Sequence, residues 1–206
     1  MLKVVEQRGE VREVVTDLLQ GVRVAFVVAN EGVEEVELAE PWRAVLAAGA
    51  KPILVAPRTG DVQLMRHLDK AGTVGADVET AAARPADFDA LVLPGGVANP
   101  DQLRMDVEAV AFVWKMFQAG RPAAVICHGP WTLIEADVVR GRTLTSWPSL
   151  ATDITNAGGA WRDEPVVTCS NGPNVLVTSR NPGDIEGFCA TLVRTFAACT
   201  HARVAS

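Results

Sequence analysis

Four short, almost wholly apolar runs, at 22–29, 53–56, 90–93 and 123–126, constrain this chain more than any other feature. Runs of that length read as strands buried on both faces, the pattern of a parallel sheet. Between them, apolar residues recur at helical spacing. Val36, Leu38, Ala39, Trp42, Val45 and Leu46 make one stripe, ending near Gly49; Val107, Val110, Ala111, Trp114 and Phe117 make another, ending at Gly120. Strands alternating with such helices imply an α/β fold, a mostly parallel central sheet with helices on both faces. Two hairpins are expected besides: 62–65 with 73–78 beside the sheet, and 166–170 with 175–179 across the turn Asn171-Gly172-Pro173-Asn174. A last helix begins at Asn181-Pro182, with Ile185, Phe188, Cys189, Leu192, Val193 and Phe196 as its inner stripe.

A chain of 206 residues, 49% apolar, is sized for one domain with a large core. Val11, Val14, Val15, Leu18 and Leu19 are spaced for an amphipathic helix, so residues 1–20 are expected to be a helical extension packed on a domain of residues 21–206. That extension carries Glu6, Glu10, Glu13 and Asp17 and no apolar block before a cleavage site. Nor does any apolar run approach the ~20 residues needed to span a bilayer. The expectation is a cytoplasmic protein with no membrane partner. The net charge of −6, with no clustering of Lys and Arg, argues against a nucleic-acid partner. Cys127, Cys169, Cys189 and Cys199 include no C-x-x-C pair and read as reduced thiols. There is no metal-ligand spacing and no phosphate loop, so no cofactor is implied.

One of those thiols stands apart. In Ala123-Ala124-Val125-Ile126-Cys127-His128-Gly129-Pro130 an apolar strand runs into Cys127, Gly129 permits a tight turn, and Pro130 suits the first turn of a helix. Such a turn puts the thiol at the carboxyl end of the sheet, where sites of open α/β folds gather. A helix N-terminus beside it favours thiolate over thiol, which would activate Cys127 as a nucleophile. Leu91-Val92-Leu93-Pro94-Gly95-Gly96 ends the preceding strand, and its glycines allow amides to approach an oxyanion, with the His128 amide as second donor. Glu34, Glu35 and Glu37 follow the first strand at the same end. A carboxyl beside the thiol would hydrogen-bond it or move a proton. Spacing does not choose among the three, and at least two are expected to be ordinary first-turn helix acids. His67 and His201 read as surface residues.

These motifs resemble the PfpI family, in the superfamily that includes the parkinsonism-associated protein DJ-one and is related in fold to class I glutamine amidotransferases. The resemblance runs from about 23 to 196 and rests on Ala29-Asn30-Glu31 leading to Glu34-Glu35-Val36-Glu37-Leu38, on Leu93-Pro94-Gly95-Gly96, on Ile126-Cys127-His128-Gly129-Pro130 and on Thr145-Ser146-Trp147-Pro148. It implies a flavodoxin-like three-layer sandwich, Cys127 as nucleophile, Glu34 as the carboxyl on its sulfur, and the amides of Gly96 and His128 as the oxyanion hole. It further implies His128 as general base, oriented by an acid from a neighbouring subunit, for which Asp101 is the candidate, and hence a homodimer or higher homo-oligomer. Two departures stand out: the loop bearing Asp101 is one residue longer than in archaeal protease-like members and carries Asp rather than Glu, and the first-strand loop has an additional Gly32.

The family's activities, as intracellular protease, glyoxalase or deglycase, share thiolate attack on a carbonyl-derived carbon, and the substrate implied is a small aldehyde, a glycated adduct or a peptide. The competing reading is a non-enzymatic stress protein or holdase that senses peroxide by oxidation of Cys127. A glutamine amidotransferase is excluded by inventory, since none of His67, His128 and His201 starts a His-x-Glu. A thiol-type α/β hydrolase would have only His201 in the right chain order, and Val125 stands where its nucleophile motif needs glycine.

Overall fold

The structure, a computed structural model, describes residues 3–7, 10–14 and 17–204, with side chains described from 17 to 200. Its first two strands, β1 (Lys3–Gln7) and β2 (Glu10–Val14), pair antiparallel. This overturns the helix expected over 1–20. Valines at 4, 5, 11 and 14 are stiff at χ1 and favour extended backbone, which prevails over their helix-compatible spacing.

The main chain of the fold then runs through β3 (Arg23–Val27), β4 (Glu31–Glu34), α1 (Glu35–Ala47), β5 (Lys51–Ala56), β6 (Gly60–Arg66), β7 (Asp69–Ala76), β8 (Val78–Glu79), β9 (Ala90–Leu93), α2 (Ala98–Leu103), α3 (Val107–Gln118), β10 (Ala123–Ile126) and α4 (Pro130–Glu135). It closes with β11 (Thr143–Leu144), α5 (Ala151–Asn156), β12 (Ala160–Trp161), β13 (Val166–Cys169), β14 (Leu176–Ser179) and α6 (Ile185–Val204). Seven strands form one sheet in the order β13-β14-β10-β9-β3-β5-β8. All neighbours are parallel except β13, which runs antiparallel to β14 at the edge.

Strand alternation divides the core in two. Val24, Phe26 and Val28, with Leu54, Val92, Ala124 and Val177, face α1 and α6, whose Leu38, Val45, Phe188, Leu192 and Phe196 cover them. Ala25, Val27, Val55, Leu91, Leu93 and Val125 face the other way, onto Phe112, Val113, Met116 and Phe117 of α3 and Leu133 of α4. Helices thus cover both faces, giving the expected three-layer sandwich. Fully burying each large side chain contributes roughly 1.5–3 kcal/mol.

Three expectations shift in detail. The buried face of α3 is Ala109, Phe112, Val113, Met116 and Phe117, while Val107 and Trp114 of the expected stripe are exposed. This helix is apolar on nearly every side, so periodicity alone could not phase it. The 73–78 segment divides: β7 ends at Ala76 and pairs with β6, whereas β8 joins the main sheet beside β5. Cys189 is half-buried rather than in the core, although burial still pushes its thiol up to about 12.

The strand order reverses between β3 and β9, the crevice position where ligands bind in open α/β sheets. The carboxyl ends of β3, β9 and β10 meet there.

Candidate functional site

Cys127 follows β10 directly and takes φ 62°, a left-handed conformation that costs a non-glycine residue energy and turns its side chain out of the strand direction. Backbone bonds on both sides hold it there. Its N–H donates to Ser179 O at 3.0 Å, and its carbonyl accepts from Trp147 N–H at 2.9 Å. The Thr145-Ser146-Trp147-Pro148 motif therefore contributes a brace for the turn.

Cys127 is 5% exposed, and the Gly96 and His128 amides approach its sulfur and favour its charged form. Gly96 has φ 85°, and a side chain there would strike the Gly32 carbonyl oxygen and the Glu34 amide. Gly32, the additional residue, has φ 98° and lies where the β4–β6 pairing shifts register. A Cβ on Gly32 would meet Ala98 Cβ at 2.6 Å. β4 packs against the Pro-Gly-Gly turn and the start of α2 at distances only glycine allows.

The carboxyl on the sulfur is Glu37, not Glu34. Glu37 is fully buried, accepts the Gly95 N–H at Oε2 (2.9 Å), and faces the Cys127 thiol, which favours the charged carboxylate. Oε1 has no hydrogen-bond partner among the described residues. Glu37, Pro41 and Val45 share the inner face of α1 at four-residue spacing, whereas Glu34 is the residue before the helix. Glu34 lines the same cavity but turns its Oε2 to the His67 amide at 2.9 Å. Burial pushes the Glu37 carboxyl up to about 7, and the Cys127 thiol and the Gly95 amide oppose that shift.

The thiol moves opposite to what the turn alone suggested. Burial pushes Cys127 up, the Glu37 charge adds to the rise, and the Gly96 and His128 amides offset only part of it. α4 has six residues, and the favourable end of so short a helix does not outweigh desolvation. Two acids in one dry pocket share at most one negative charge near neutral pH. When Glu37 keeps its proton, its repulsion is gone, and the two amides oppose the burial penalty that remains on the thiolate.

His128 is buried, and burial pushes its imidazole pKa down, so the ring is neutral at neutral pH. Its Nδ1 lies 3.2 Å from the sulfur. Trp147 stacks on the ring at 5.6 Å and Trp131 packs at 5.3 Å. Asp101 lies on the exposed side of α2 and does not line the cavity, so within one protomer it is not joined to His128.

Asn99, which sequence reasoning passed over, ties the site together. Fully buried, it accepts the Ala29 N–H at 2.7 Å and donates to Pro94 O and Gly95 O, both at 3.0 Å, linking the ends of β3 and β9. The cavity measures about 200 Å³ and is walled by Glu34, Glu37, Gly96, Cys127, His128 and Trp147, with His67, Leu68, Val97 and Pro182 at its rim. His67 is exposed as expected, yet it borders the site. No group of three or more His, Cys, Asp or Glu among the described residues is arranged to hold a metal ion. Among those residues no helix is long and apolar enough to cross a membrane.

Comparison with known proteins gives this geometry its relatives. A deglycase of Pyrococcus abyssi is 40% identical over 82% of this chain and 96% of its own length, and the deglycase PfpI of Pyrococcus furiosus is 38% identical over 84% and 98%. Among solved structures, a two-domain protein with DJ-1/ThiJ/PfpI-like and ferritin-like domains from Anabaena variabilis superposes with a TM-score of 0.77 at 32% identity, covering 84% of this chain and 47% of that one. Oxidized DJ-1 of Toxoplasma gondii superposes at 0.74 with 21% identity over 89% and 98%, a likeness of fold. The DJ-1/PfpI family profile matches residues 22–195, and with relatives of this identity over nearly their whole length the chain belongs to the DJ-1/PfpI family.

Proposed function

We propose that this protein is a cofactor-independent enzyme whose Cys127 adds to small α-oxoaldehydes and to the early adducts these form with thiols and amines, a deglycase or glyoxalase activity. One observation carries the reading: the Cys127 sulfur sits between a protonatable carboxyl, Glu37, and two converging amides, Gly96 and His128. That the named relatives are deglycases supports it.

In this reading Glu37, as carboxylate, takes the Cys127 proton as the sulfur attacks the aldehyde carbon. An S–C bond forms, and the C=O π pair moves to oxygen, where the two amides receive it. Removing one such donor typically costs about 10²–10³ in kcat. The Glu37 proton passes to that oxygen and leaves a hemithioacetal. Neutral His128 then takes the proton from the sulfur-bearing carbon and returns it to the neighbouring carbon, while the hemithioacetal hydroxyl proton passes by way of Glu37 to the ketone oxygen, giving a thioester of a 2-hydroxy acid. Water hydrolyses the thioester and restores the thiol, so aldehyde plus water becomes acid with no external oxidant. With an adduct, the same sulfur takes the carbon while the original thiol or amine leaves with a proton. Asp101, exposed on α2, meets an imidazole only in a second copy of the chain, so the reading includes a homo-oligomer.

The test is turnover of methylglyoxal, a glycated thiol and a fluorogenic peptide by wild type and Cys127→Ser. The expected result is aldehyde and adduct turnover in wild type, reduced at least 10³-fold in the variant with the fold intact by circular dichroism. Turnover retained by Cys127→Ser would overturn the proposal, as would selective peroxide oxidation of Cys127 in a protein inert toward all three substrates.

A further inference from the structure

The rim of the Cys127 cavity includes a two-residue turn from outside the main sheet. β6 and β7 pair from Gly60↔Ala76 to Arg66↔Asp69, which leaves His67 and Leu68 as the tip. His67 takes φ 57°, and Leu68 is 86% exposed, a large apolar side chain held at the mouth of a reactive pocket. Val97 and Trp147, 53% and 40% exposed, stand at the same mouth.

The tip is held from the β4–α1 segment. Glu34 Oε2 accepts the His67 N–H at 2.9 Å, Glu35 pairs with Arg66, and Glu31 pairs with Lys70 at 3.2 Å. The two outer pairs are solvent-exposed and contribute little each. The Glu34 bond differs. Glu34 is the N-cap residue of α1, makes no bond to its own helix, and reaches the hairpin instead. Glu34 is 8% exposed, and a hydrogen bond from a backbone amide to a buried carboxylate is strong and short-ranged. It fixes the one tip residue whose backbone is in the left-handed region.

We propose that the His67–Leu68 tip is the specificity-determining wall of the Cys127 pocket, positioned by Glu34 through the His67 amide, and that it favours carbonyl substrates bearing an apolar group. This rests on Cys127 being the reacting atom. Leu68, Val97 and Trp147 give the incoming side chain an apolar contact before the carbonyl reaches the sulfur. Glu34 is a positioning residue: its acceptor oxygen matters, not proton transfer.

The experiment compares wild type, Leu68→Gly, Glu34→Ala and Glu34→Gln in two readouts. One is the ratio of kcat/KM for phenylglyoxal to that for methylglyoxal. The other, independent of turnover, is the ratio of Cys127 alkylation rates by N-phenylmaleimide and iodoacetamide. Leu68→Gly and Glu34→Ala should each lower both ratios by roughly 3- to 10-fold, the range for losing part of an apolar contact, with the change in KM rather than kcat. Glu34→Gln should keep wild-type ratios, because its amide oxygen still accepts from His67. Ratios unchanged within two-fold in Leu68→Gly and Glu34→Ala would overturn the proposal. So would Glu34→Gln falling as far as Glu34→Ala, which would mean that the charge itself acts. If wild type turns over neither aldehyde while the alkylation ratios shift as described, the wall stands and the enzymatic reading fails.

Discussion

At the scale of residues, the proposed chemistry turns on the proton shared by Cys127 and Glu37. A buried carboxyl whose folded-state pKa is raised to about 7 stabilises the fold below its ordinary pKa and loses that contribution as pH rises through 7. A rise from 4.5 to about 7 corresponds to roughly 3 kcal/mol. Glu37→Gln keeps the shape without the charge. Urea midpoints should therefore be similar for the two proteins near pH 4.5, and the variant should be the more stable at pH 8 by up to that amount. Parallel midpoint-against-pH curves would contradict a buried, titrating Glu37. Gly96→Ala should lose at least 10-fold in turnover and unfold at lower urea, because its methyl meets the Gly32 carbonyl and the Glu34 amide. The sharp turn that holds Cys127 between β10 and α4 was legible from Ile126-Cys127-His128-Gly129-Pro130, since the turn chemistry is local. The carboxyl was not: Glu34, Glu35 and Glu37 are alike in type, and choosing among them needs the phase of α1. The cue was present in the spacing of Glu37 with Pro41 and Val45, which puts that acid on the inner face.

At the scale of elements, the site depends on loops held in register at the sheet's carboxyl edge. Asn99 is the main fastener, with three hydrogen bonds to the ends of β3 and β9 and no solvent exposure. Asn99→Ala strands one buried N–H and loosens two carbonyls, so it should cost about 2–4 kcal/mol in chemical denaturation and lower kcat by misplacing the Gly96 amide. An unchanged midpoint would show that water or a neighbour replaces those bonds. Asn99 could not be found from sequence because it acts across 70 residues of chain separation. The same limit hid the hairpin tip, since nothing in Arg66-His67-Leu68-Asp69 says which loop it touches. α3 was mis-phased for a different reason: with Val107, Val110 and Trp114 apolar on one side and Phe112, Val113 and Met116 on the other, the stripe has no unique direction.

At the scale of the molecule, the order of strands explains why three motifs far apart in sequence converge. The switch between β3 and β9 opens a crevice, and β10 brings Cys127 to its edge. Four apolar runs separated by helical stripes were enough to read this, because burial on both faces leaves few arrangements. The first 20 residues misled because stiff valines at helix-compatible spacing satisfy either pattern. If Asp101 orients His128 across a homo-oligomer, a mixture of Cys127→Ser and Asp101→Ala proteins should regain activity that neither has alone, and wild-type specific activity should fall on dilution. Equal specific activity at all concentrations would contradict an acid supplied in trans. The claim on which the rest depends is that Cys127 forms a covalent bond to the substrate carbon. Rapid acid quench during methylglyoxal turnover, followed by intact and peptide mass spectrometry, should show one substrate equivalent on Cys127 in wild type and none in Cys127→Ser. Turnover with the Cys127 peptide unmodified at every time point, or an equal adduct on Cys169, Cys189 and Cys199, would contradict the account.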